Sequence, residues 1–576
     1  ITMYADCGCI SKGEEVFDSY SPVRDTVIWN ALITAYVNCG FDANALTCFE
    51  KMQVEGISPN VVTYICSLRA CGNLAAIEKG REIHGEVYRK KLHENDVKLS
   101  NALVDMYAKC GVFSKAHEVF ERLAFKNVIS WTSLIAGYVK HGQGAEALKC
   151  FKQMQLEGIS PNVITYVCGL RACGSLRNIE MGQEIHYEVT RKGLERDALV
   201  GGALLDMCAK CGLLKKAQEV FDCLPNRGII LWTTLISGYV NHGHNEDALT
   251  CLKLMQLEHI SPNVATYLSC LKACGNIGAI ERGQEIHAEI ARKGLLERDH
   301  LLVGNALIHM YVKCGIFVKA QELFDNLQIR DIISWTTLIT GYAEQDQPEE
   351  ALHYFEQMRS EGFSATAATF VCTLKACGNI GAAVKGQKLH GDIMRKGLEM
   401  NLIVGSTLVD MYAKCGLLPI AQQVFDKLSI QDVISWNSLI AGYVQLGQSN
   451  TVFTLFDRMR REGKRPDVIT FTSVLSVCSQ VGLVNQGLTY FEIMSKEYGI
   501  LPTFQHHGCM VDLLGRVGEL HNAIVIMERM PTRPNVVLLR TVLTSCQKWG
   551  NIELGRNAFH NVLTSNDSDC LCIDPP

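Results

Sequence analysis

Histidine, glutamate and cysteine residues occur in this sequence at spacings that resemble those of a zinc site. His-x-Glu triplets recur along the chain, with Asp replacing Glu in the last copy: His84-Gly85-Glu86, His186-Tyr187-Glu188, His287-Ala288-Glu289 and His390-Gly391-Asp392. A Cys-x-x-Cys pair, Cys208 and Cys211, begins 22 residues after His186. Zinc-dependent deaminases bind their metal through one His and two Cys and transfer protons with a Glu, in the pattern H-x-E…P-C-x-x-C. The chemistry to test first is therefore hydrolytic deamination.

The repetition of these residues argues against a catalytic zinc centre. A catalytic centre occurs once in a chain, whereas the His-x-Glu triplet recurs at the same place in each copy of a repeat. Cys208 stands where other copies have Tyr107, Tyr311 and Tyr412, and no Pro precedes it. Neither a Ser/His/Asp cluster nor a Gly-rich phosphate-binding loop stands out from the repeated sequence. We therefore predict no metal site, no cofactor and no enzymatic activity for this chain.

The overall composition excludes several classes of protein. The chain has 576 residues, of which 48% are hydrophobic and 20% charged, the balance of a folded protein rather than a disordered one. No apolar run approaches the roughly 20 residues that a membrane-spanning helix needs. The formal net charge of −5 counts against a protein that coats nucleic acid by charge alone. It does not exclude a protein that reads exposed bases.

Many of the 25 cysteines recur in two fixed contexts. The contexts are Ala-Cys-Gly at Cys71, Cys173, Cys274 and Cys377, and Lys-Cys-Gly at Cys110, Cys211, Cys314 and Cys415. We predict that they are small buried side chains near helix ends. So many thiols also indicate a reducing compartment, because an oxidising one would cross-link them at random.

Tryptophan residues reveal a long internal repeat. Trp29, Trp131, Trp232, Trp335 and Trp436 are 101 to 103 residues apart, and each opens a copy of Trp-(Asn/Thr)-x-Leu-Ile-x-(Gly/Ala)-Tyr. Each period divides into three shorter units of about 35, 36 and 31 residues. We call them the Trp unit, the Ala-Cys-Gly unit and the Lys-Cys-Gly unit.

The apolar spacing within a unit predicts a helical hairpin. In the Trp unit that begins at Val433, the spacing i, i+3, i+4, i+7 occurs twice, at Trp436, Leu439, Ile440 and Tyr443 and again at Val452, Leu455, Phe456 and Met459. Gly447 separates the two helices and Gly463 ends the second. A single hairpin cannot bury both apolar faces, so neighbouring hairpins must stack on one another. The predicted fold is therefore an all-α solenoid.

The three units resemble the motifs of plant pentatricopeptide-repeat (PPR) proteins. The Trp units are similar to P-type motifs. The Ala-Cys-Gly units, such as Thr165 to Gly174, resemble L-type motifs, and the Lys-Cys-Gly units, such as Asn101 to Gly111, resemble S-type motifs. This alternation is that of the PLS subfamily, which serves RNA editing in plant organelles. The resemblance implies a right-handed α-solenoid of about 17 motifs, whereas the constant period of tetratricopeptide repeats, about 34 residues, fits less well.

The resemblance also implies the boundaries of the motifs. Residues 1–25 correspond to a partial S-type repeat, followed by four P-L-S triplets over 26–432 (26–127, 128–228, 229–331 and 332–432) and a terminal triplet at 433–535. Residues 536–569 resemble the first E motif of the family, and 570–576 form an unplaced tail. We expect neither a second E motif nor the DYW deaminase domain in this sequence. Because the chain begins inside a motif without a start Met or a targeting segment, we expect it to be a fragment.

In this family the fifth and last residues of a motif read one base of single-stranded RNA, so the resemblance implies seven reading pairs. The pairs are Asn30 with Asn60, Asn101 with Asn127, Thr132 with Asn162, Thr233 with Asn263, Asn305 with Asp331, Ser406 with Asp432, and Asn437 with Asp467. An ionised Asp only accepts hydrogen bonds and suits U and G, whereas Asn also donates and suits A and C. A small fifth residue leaves room for a purine. The expected target is Y-n-Y-A-n-n-A-n-U-n-n-G-U, where Y is a pyrimidine and n is a base that no predicted pair specifies. Asn and Asp are also common turn and N-cap residues, so a purely structural role stays open.

Some units depart from this pattern. Gly202 and Gly228 offer no side-chain hydrogen bond, so we expect the unit that contains them to read no base. Thr336 and Thr366 are the fifth and last residues of another unit, but the seven predicted pairs all end in Asn or Asp. The fifth residues of the Ala-Cys-Gly units are apolar and are expected to pack rather than to hydrogen-bond: Ile65, Val167, Leu268 and Val371.

The function implied by the resemblance is sequence-specific binding of single-stranded organellar RNA, as a specificity factor for C-to-U editing in a mitochondrion or chloroplast. Its expected partners are that RNA, a deaminase supplied in trans and editing accessory proteins. We expect no association with a membrane. Two alternatives stay open: an RNA stabilisation or splicing factor without editing, and a protein-binding helical scaffold. The polar pairs favour RNA binding over the scaffold, and the E-like segment favours editing.

Overall fold

The computed structural model describes residues 1, 3–4, 10–19, 25–92, 96–123, 125–298, 300–528, 530 and 536–556. All regular secondary structure in this part of the chain is helical, and no strand occurs in it. The predicted all-α array of helical hairpins is therefore confirmed. The chain divides into two compact segments, an N-terminal segment (Ile1–Lys293) and a C-terminal segment (Gly294–Pro576).

The N-terminal segment begins with one helix of the partial repeat, α1 (Ile10–Ser19), and continues as a series of hairpins. The first helices of these hairpins are α2 (Thr26–Asn38), α4 (Val61–Leu74), α6 (Val97–Lys109), α8 (Val128–Lys140), α10 (Val163–Leu176), α12 (Ala198–Lys210), α14 (Ile229–Asn241) and α16 (Val264–Ile277). The second helices are α3 (Asp42–Val54), α5 (Ile77–Arg89), α7 (Phe113–Glu121), α9 (Gly144–Leu156), α11 (Ile179–Arg191), α13 (Leu214–Cys223), α15 (Asn245–Leu257) and α17 (Ile280–Arg292).

The C-terminal segment opens on a short helix, α18 (Leu295–Arg298), and repeats the same hairpins. Its first helices are α19 (His300–Lys313), α21 (Ile332–Glu344), α23 (Ala367–Asn379), α25 (Leu402–Lys414), α27 (Val433–Gln445), α29 (Val468–Val481), α31 (Phe504–Val517) and α33 (Val536–Trp549). Its second helices are α20 (Phe317–Asp325), α22 (Pro348–Ser360), α24 (Ala383–Arg395), α26 (Leu418–Lys427), α28 (Ser449–Arg461), α30 (Val484–Lys496) and α32 (Leu520–Glu528). Among the helices just given, none has the length and apolar content needed to cross a membrane.

The division into P-L-S triplets stays a prediction. Of the E-like stretch, residues 536–556 belong to the described structure and 557–569 lie outside it, as do 570–576 of the tail and 2, 5–9 and 20–24 of the partial repeat.

The predicted helical faces form the core of each hairpin. In the hairpin of α27 and α28, the buried residues are Trp436, Leu439, Ile440, Val452, Leu455, Phe456 and Met459, as the spacing predicts. Tyr443 completes the first face and is half-buried. The faces that one hairpin leaves uncovered are covered by the next hairpin, which is the packing expected of a solenoid.

A recurring aromatic pair joins each Lys-Cys-Gly unit to the Trp unit that follows. The Phe of the earlier second helix meets the Trp of the next first helix edge-on, with ring centroids 4.6 to 4.7 Å apart: Phe17–Trp29, Phe120–Trp131, Phe221–Trp232, Phe324–Trp335 and Phe425–Trp436. An edge-to-face arrangement places the positive ring edge against the negative ring face. The pair therefore fixes both the distance and the angle between consecutive hairpins.

Adjacent first helices approach closely where a glycine follows the Trp face. At Gly137, an added Cβ would lie 2.5 Å from Ala108 Cβ and 3.0 Å from its carbonyl oxygen. The equivalent Gly238 and Gly442 face Ala209 and Ala413 at 2.7 and 2.8 Å. A side chain at these positions would push the first helices apart, and the loops at their N-termini with them.

We expect Gly137→Ala to destabilise the protein relative to Gly85→Ala. Both glycines lie within helices, so both substitutions gain helix propensity, but an added Cβ at Gly85 has nothing within 4 Å. The clash with Ala108 should make Gly137→Ala about 1–3 kcal/mol less stable than the control, measured by urea unfolding. Equal stability of the two variants would show that the helices can separate without cost.

Candidate nucleic-acid interface

The last residue of every predicted reading pair caps a first helix. A side-chain oxygen of each cap accepts a hydrogen bond from a backbone N–H of the first turn: Asn60 at α4, Asn127 at α8, Asn162 at α10, Asn263 at α16, Asp331 at α21, Asp432 at α27 and Asp467 at α29. Such caps typically contribute about 1 kcal/mol each. The structural role left open by the sequence is therefore real at all seven positions.

The fifth residue of the preceding motif reaches the same cap. In five pairs it donates a hydrogen bond directly to the cap oxygen: Asn30 to Asn60 (3.0 Å), Asn101 to Asn127 (3.4 Å), Asn305 to Asp331 (3.3 Å), Ser406 to Asp432 (3.1 Å) and Asn437 to Asp467 (3.0 Å). The partners are 26 or 30 residues apart in the chain. Folding therefore brings into contact the two residues that the sequence predicts to act as one pair.

The two Thr-Asn pairs are joined through a third hydroxyl. Thr132 Oγ1 lies 2.7 Å from Thr165 Oγ1, which in turn donates to Asn162 Oδ1 at 2.8 Å. In the other pair, Thr233 and Asn263 are linked in the same way through Thr266, at 2.8 and 2.9 Å. The Val128 carbonyl oxygen is an alternative acceptor for the single Thr132 hydroxyl proton, and Thr132 is buried, so its hydroxyl is turned away from solvent and leaves space above it.

The cap decides which atom of Asn or Asp is left to face a ligand. Asn162 Oδ1 accepts from both the backbone N–H and the hydroxyl of Thr165, at 2.9 and 2.8 Å, which leaves the amide N–H donors available. Asp331 Oδ1 accepts from the Ser334 N–H at 2.8 Å, which leaves Oδ2 as an acceptor. An Asn cap therefore presents donors and an Asp cap presents an acceptor. Capping and base reading use different atoms of one side chain and are compatible.

The first-turn hydroxyl distinguishes two kinds of reading pair. Where that residue is Thr, it anchors the fifth Asn: Thr63 Oγ1 donates to Asn30 Oδ1 at 2.6 Å. Where it is Ser, its hydroxyl turns back, as Ser130 does to the Asn127 carbonyl at 2.8 Å, and Asn101 Oδ1 is buried without a partner. The pair Asn437–Asp467 belongs to the anchored kind and Asn305–Asp331 to the other. In the pairs with Ser, one hydrogen bond holds the fifth Asn, whereas in the pairs with Thr two hydrogen bonds hold it.

Exposed aliphatic side chains accompany the polar pairs and are not among the predicted site residues. They occupy the second residue of a motif, three residues before the fifth, which places both on one face of the helix. Val27, Val62, Ile129, Ile164, Leu199 and Ile230 lie in the N-terminal segment, and Leu302, Ile333, Ile403, Ile434 and Ile469 in the C-terminal segment. Ile129 and Ile164 are 57% and 56% exposed. The available signal was an apolar residue on an otherwise polar helical face.

In the N-terminal segment these side chains line a groove of about 470 Å³. Its walls include the fifth residues of three consecutive motifs, the caps and the exposed aliphatics: Ile65, Asn101, Thr132, Asn162, Ile129 and Ile164. Arg69, Lys98 and Lys109 also line it, and Lys109 pairs with Asp105 at 2.8 Å. The groove therefore combines hydrogen-bonding groups, apolar surface and positive charge, although the whole chain carries a net charge of −5.

The departures from the pattern have structural counterparts. Gly228 caps α14 without a side-chain bond, and a Cβ at Gly202 would lie 3.4 Å from Leu231, which stands in the place of the first-turn hydroxyl. Thr366 caps α23, and its only polar side-chain atom is used on Thr369 at 2.9 Å. The last residue of neither unit therefore presents a free polar side-chain atom.

The His-x-Glu triplets connect neighbouring helices. In the first copy, His84 Nδ1 lies 2.8 Å from the Tyr107 hydroxyl on one side, whereas Glu86 accepts from the Tyr64 hydroxyl at 3.0 Å on another. In this copy the two side chains are thus engaged with different helices, Tyr107 on α6 and Tyr64 on α4, rather than with a common site. His390 repeats the contact with Tyr412 at 2.9 Å.

The predicted burial of the cysteines is confirmed in the Ala-Cys-Gly units, whereas the Lys-Cys-Gly cysteines are only partly buried: Cys110, Cys211, Cys314 and Cys415. Cys71, Cys173, Cys274 and Cys377 are fully buried, as predicted, and burial raises the pKa of the Cys71 thiol to about 12. Cys208 is also buried, with its thiol pKa raised to about 12 for the same reason. Within the described residues, no group of three His, Cys, Asp or Glu side chains is arranged to hold a metal ion.

Stacked hairpins with a polar pair at seven of their junctions define a helical-repeat protein with an extended binding surface. The sequence profile of the PPR repeat family matches residues 24–73, 126–175, 227–276, 330–379 and 431–502, and a second PPR repeat profile matches 100–128, 202–229 and 305–332. The chain is 33% identical to a chloroplastic pentatricopeptide repeat-containing protein of Arabidopsis thaliana, over 99% of this chain and 70% of that protein. A mitochondrial protein of the same name and organism is 32% identical, over 99% and 82%. The chain therefore belongs to the PPR family.

Solved structures agree with this fold. The chain resembles the crystal structure of the pentatricopeptide repeat protein PPR10 from maize, with a TM-score of 0.58 and 18% identity, over 94% of this chain and 84% of that chain. PPR10 in complex with an 18-nt psaJ RNA element gives a TM-score of 0.59 and 18% identity, over 98% and 84%.

We expect Asn162→Ala and Asn162→Asp to separate capping from base reading. The Ala variant loses the cap of α10 and should be destabilised by about 0.5–2 kcal/mol. The Asp variant keeps an oxygen for the Thr165 N–H and should unfold close to the wild type in the same urea titration. If Asp destabilised as much as Ala, the amide nitrogen would have a structural role that the hydrogen bonds do not reveal.

Proposed function

We propose that this chain binds single-stranded RNA in a sequence-specific manner, as a specificity factor for C-to-U editing in a mitochondrion or chloroplast. The observation that carries the proposal is the set of seven polar pairs, each joined by hydrogen bonds at the start of a first helix. A protein-binding scaffold has no need for Asn, Thr, Ser and Asp at one register. The complex of PPR10 with an 18-nt psaJ RNA element supports the same ligand class.

The geometry supports a physical account of base reading. A base entering the groove packs its faces against aliphatic side chains such as Ile129 and Ile164, while its edge meets the outward atom of the cap. The amide donors of Asn162 suit the ring nitrogens of A and C, which accept, and Oδ2 of Asp331 suits those of U and G, which carry hydrogen. The inward-turned Thr132 leaves room for a purine, so this pair selects A. Cations such as Arg69 and Lys98 attract the backbone phosphates.

Editing and organellar location are supported separately from base reading. Relatives that match over nearly the whole chain are named as chloroplastic or mitochondrial proteins. The E-like segment, of which α33 and the residues to 556 are described, would dock a deaminase supplied in trans and editing accessory proteins. RNA stabilisation or splicing without editing is the second candidate, because the reading pairs serve it equally well.

Selection of RNA oligonucleotides by the purified chain tests the reading pairs. The wild type should enrich Y-n-Y-A-n-n-A-n-U-n-n-G-U. The double variant Thr132→Asn, Asn162→Asp converts one pair into the combination found at Asn437 and Asp467, with Thr165 in the place of the anchoring Thr470. The preference at that position should change from A to U, with a mismatch costing about 1–3 kcal/mol in binding assays.

The single variant Asn162→Asp is the matched control and should prefer G, because Thr132 keeps the space for a purine. Enrichment of no motif, or of the same motif by all three proteins, would contradict base reading and favour the scaffold.

Inactivation of the encoding gene in the source plant distinguishes editing from the second candidate. Under the editing proposal, sequencing of organellar transcripts should show loss of C-to-U conversion at sites downstream of the selected motif. Re-expression of the wild type should restore conversion, and the double variant should not. Changed transcript abundance or splicing at matching sites, with editing intact, would instead support RNA stabilisation or splicing.

A further inference from the structure

The N-terminal segment has a second groove, on its second helices rather than its first. It lies between α15 and α17 and has a volume of about 670 Å³. Cationic and polar side chains dominate its walls: Lys253, His259, Arg282, Arg292, Lys293 and Gln256. Ile260 and Ile286 contribute apolar surface, and Glu285 and Glu289 contribute two carboxylates. No reading pair contributes to this groove.

Comparison with the sister repeats shows that its charge is unusual. At the equivalent place two other triplets have an ion pair between the second helices, Glu50–Lys79 at 2.8 Å and Glu356–Lys385 at 3.2 Å. The remaining one has Lys152 opposite Met181. Among the four triplets compared, only this one has a cation at both positions, Lys253 and Arg282. Like charges at one place are unfavourable unless an anion joins them.

Neither cation finds an acidic partner in the described part of the chain. The carboxylate of Glu289 is engaged elsewhere, by Gln256 at 2.9 Å and by Lys293 at 3.3 Å. Nη1 of Arg282 is buried and has no hydrogen-bond partner. Buried donors without a partner are rare in folded proteins, and this one belongs to a residue that lines the groove.

A strained residue completes the groove. His259 has a φ of +59°, in the left-handed region, at the end of α15. The sister hairpins have glycine at this place, namely Gly56, Gly158, Gly362 and Gly463, each with positive φ. A side chain is therefore tolerated against the backbone preference in this hairpin, where it adds a ring nitrogen to the lip of the groove. A combination of two cations that the sister triplets lack, at 253 and 282, and a histidine in place of glycine, at 259, therefore line one groove.

We infer that this groove binds a phosphate group carried by a small molecule. Phosphate offers several acceptor oxygens and up to two negative charges, which suit the planar fork of Arg282 and the ammonium of Lys253 at once. The imidazole of His259 closes the site from the loop. Ile260 and Ile286 exclude water from one side, which strengthens the interaction of the charges. The site is separate from the reading pairs, since it is built from second helices and the loop after α15.

Titration calorimetry of the full chain with inorganic pyrophosphate tests the inference. The wild type should bind one equivalent. Lys253→Glu restores the Glu–cation arrangement of Glu50 and Lys79, and Arg282→Met introduces the residue found at 181. Both variants should fold, because each new residue already occurs at the equivalent position of another triplet. Each should weaken binding by about tenfold or more. Lys152→Glu makes the same charge change in the sister hairpin and should leave the affinity within about twofold.

His259→Gly provides a variant that is expected to fold better while binding worse. It removes the left-handed strain and should raise the melting temperature, while pyrophosphate affinity falls. The Lys253→Glu variant should select the same RNA motif as the wild type. Loss of pyrophosphate binding can therefore be distinguished from loss of the proposed RNA binding. Absence of pyrophosphate binding by the wild type, or equal weakening by Lys152→Glu and Lys253→Glu, would overturn the inference.

Comparison of ligands identifies the source of the phosphate. Tighter binding of ADP than of pyrophosphate would indicate a nucleotide, with its base against Ile260 and Ile286. Equal binding would indicate that the phosphate group alone is recognised. Both results support the site, whereas binding of neither ligand excludes it.

Discussion

The hydrogen bond between a capping Asn or Asp and the first turn of the next helix is the interaction on which the binding surface depends. It starts the first helix, and it holds the cap in one rotamer. Because Oδ1 is consumed in the cap, the remaining atom is a donor in Asn162 and an acceptor in Asp331. The fifth residue of the preceding hairpin is then tied to the same oxygen. A local helix-capping device thereby becomes a link between hairpins and a chemically defined contact point.

The spacing of these contact points is set by packing between first helices. The edge-to-face Phe–Trp pairs and the close approach at Gly137 leave little freedom in how consecutive hairpins stack. Well-packed interiors transmit rather than absorb small displacements. The same packing therefore sets where each cap stands relative to the next within a segment. The exposed aliphatics benefit from the same regularity, since each stands one helical turn before a fifth residue.

Repetition also makes departures informative. The His-x-Glu triplets suggest catalysis when considered singly, yet the contacts of His84 and Glu86 explain them as links between helices. The opposite holds at Lys253, Arg282 and His259. These residues are inconspicuous in the sequence, but their combination is absent from the sister triplets compared and all three line one groove. An internal repeat supplies its own comparison, because sister hairpins solve the same packing problem with different residues.

The sequence by itself determined the helical hairpins, their buried faces and the identity of the fifth and last residues, because apolar spacing and glycine placement act locally along the chain. Only the tertiary structure decided which atoms of those residues are free. Capping is local to the start of each helix, whereas the anchoring of Asn30 by Thr63 and the groove that joins Ile65, Asn101 and Thr132 involve partners from different hairpins. The buried Arg282 donor is likewise invisible in sequence, since burial and lost partners arise only when second helices pack together.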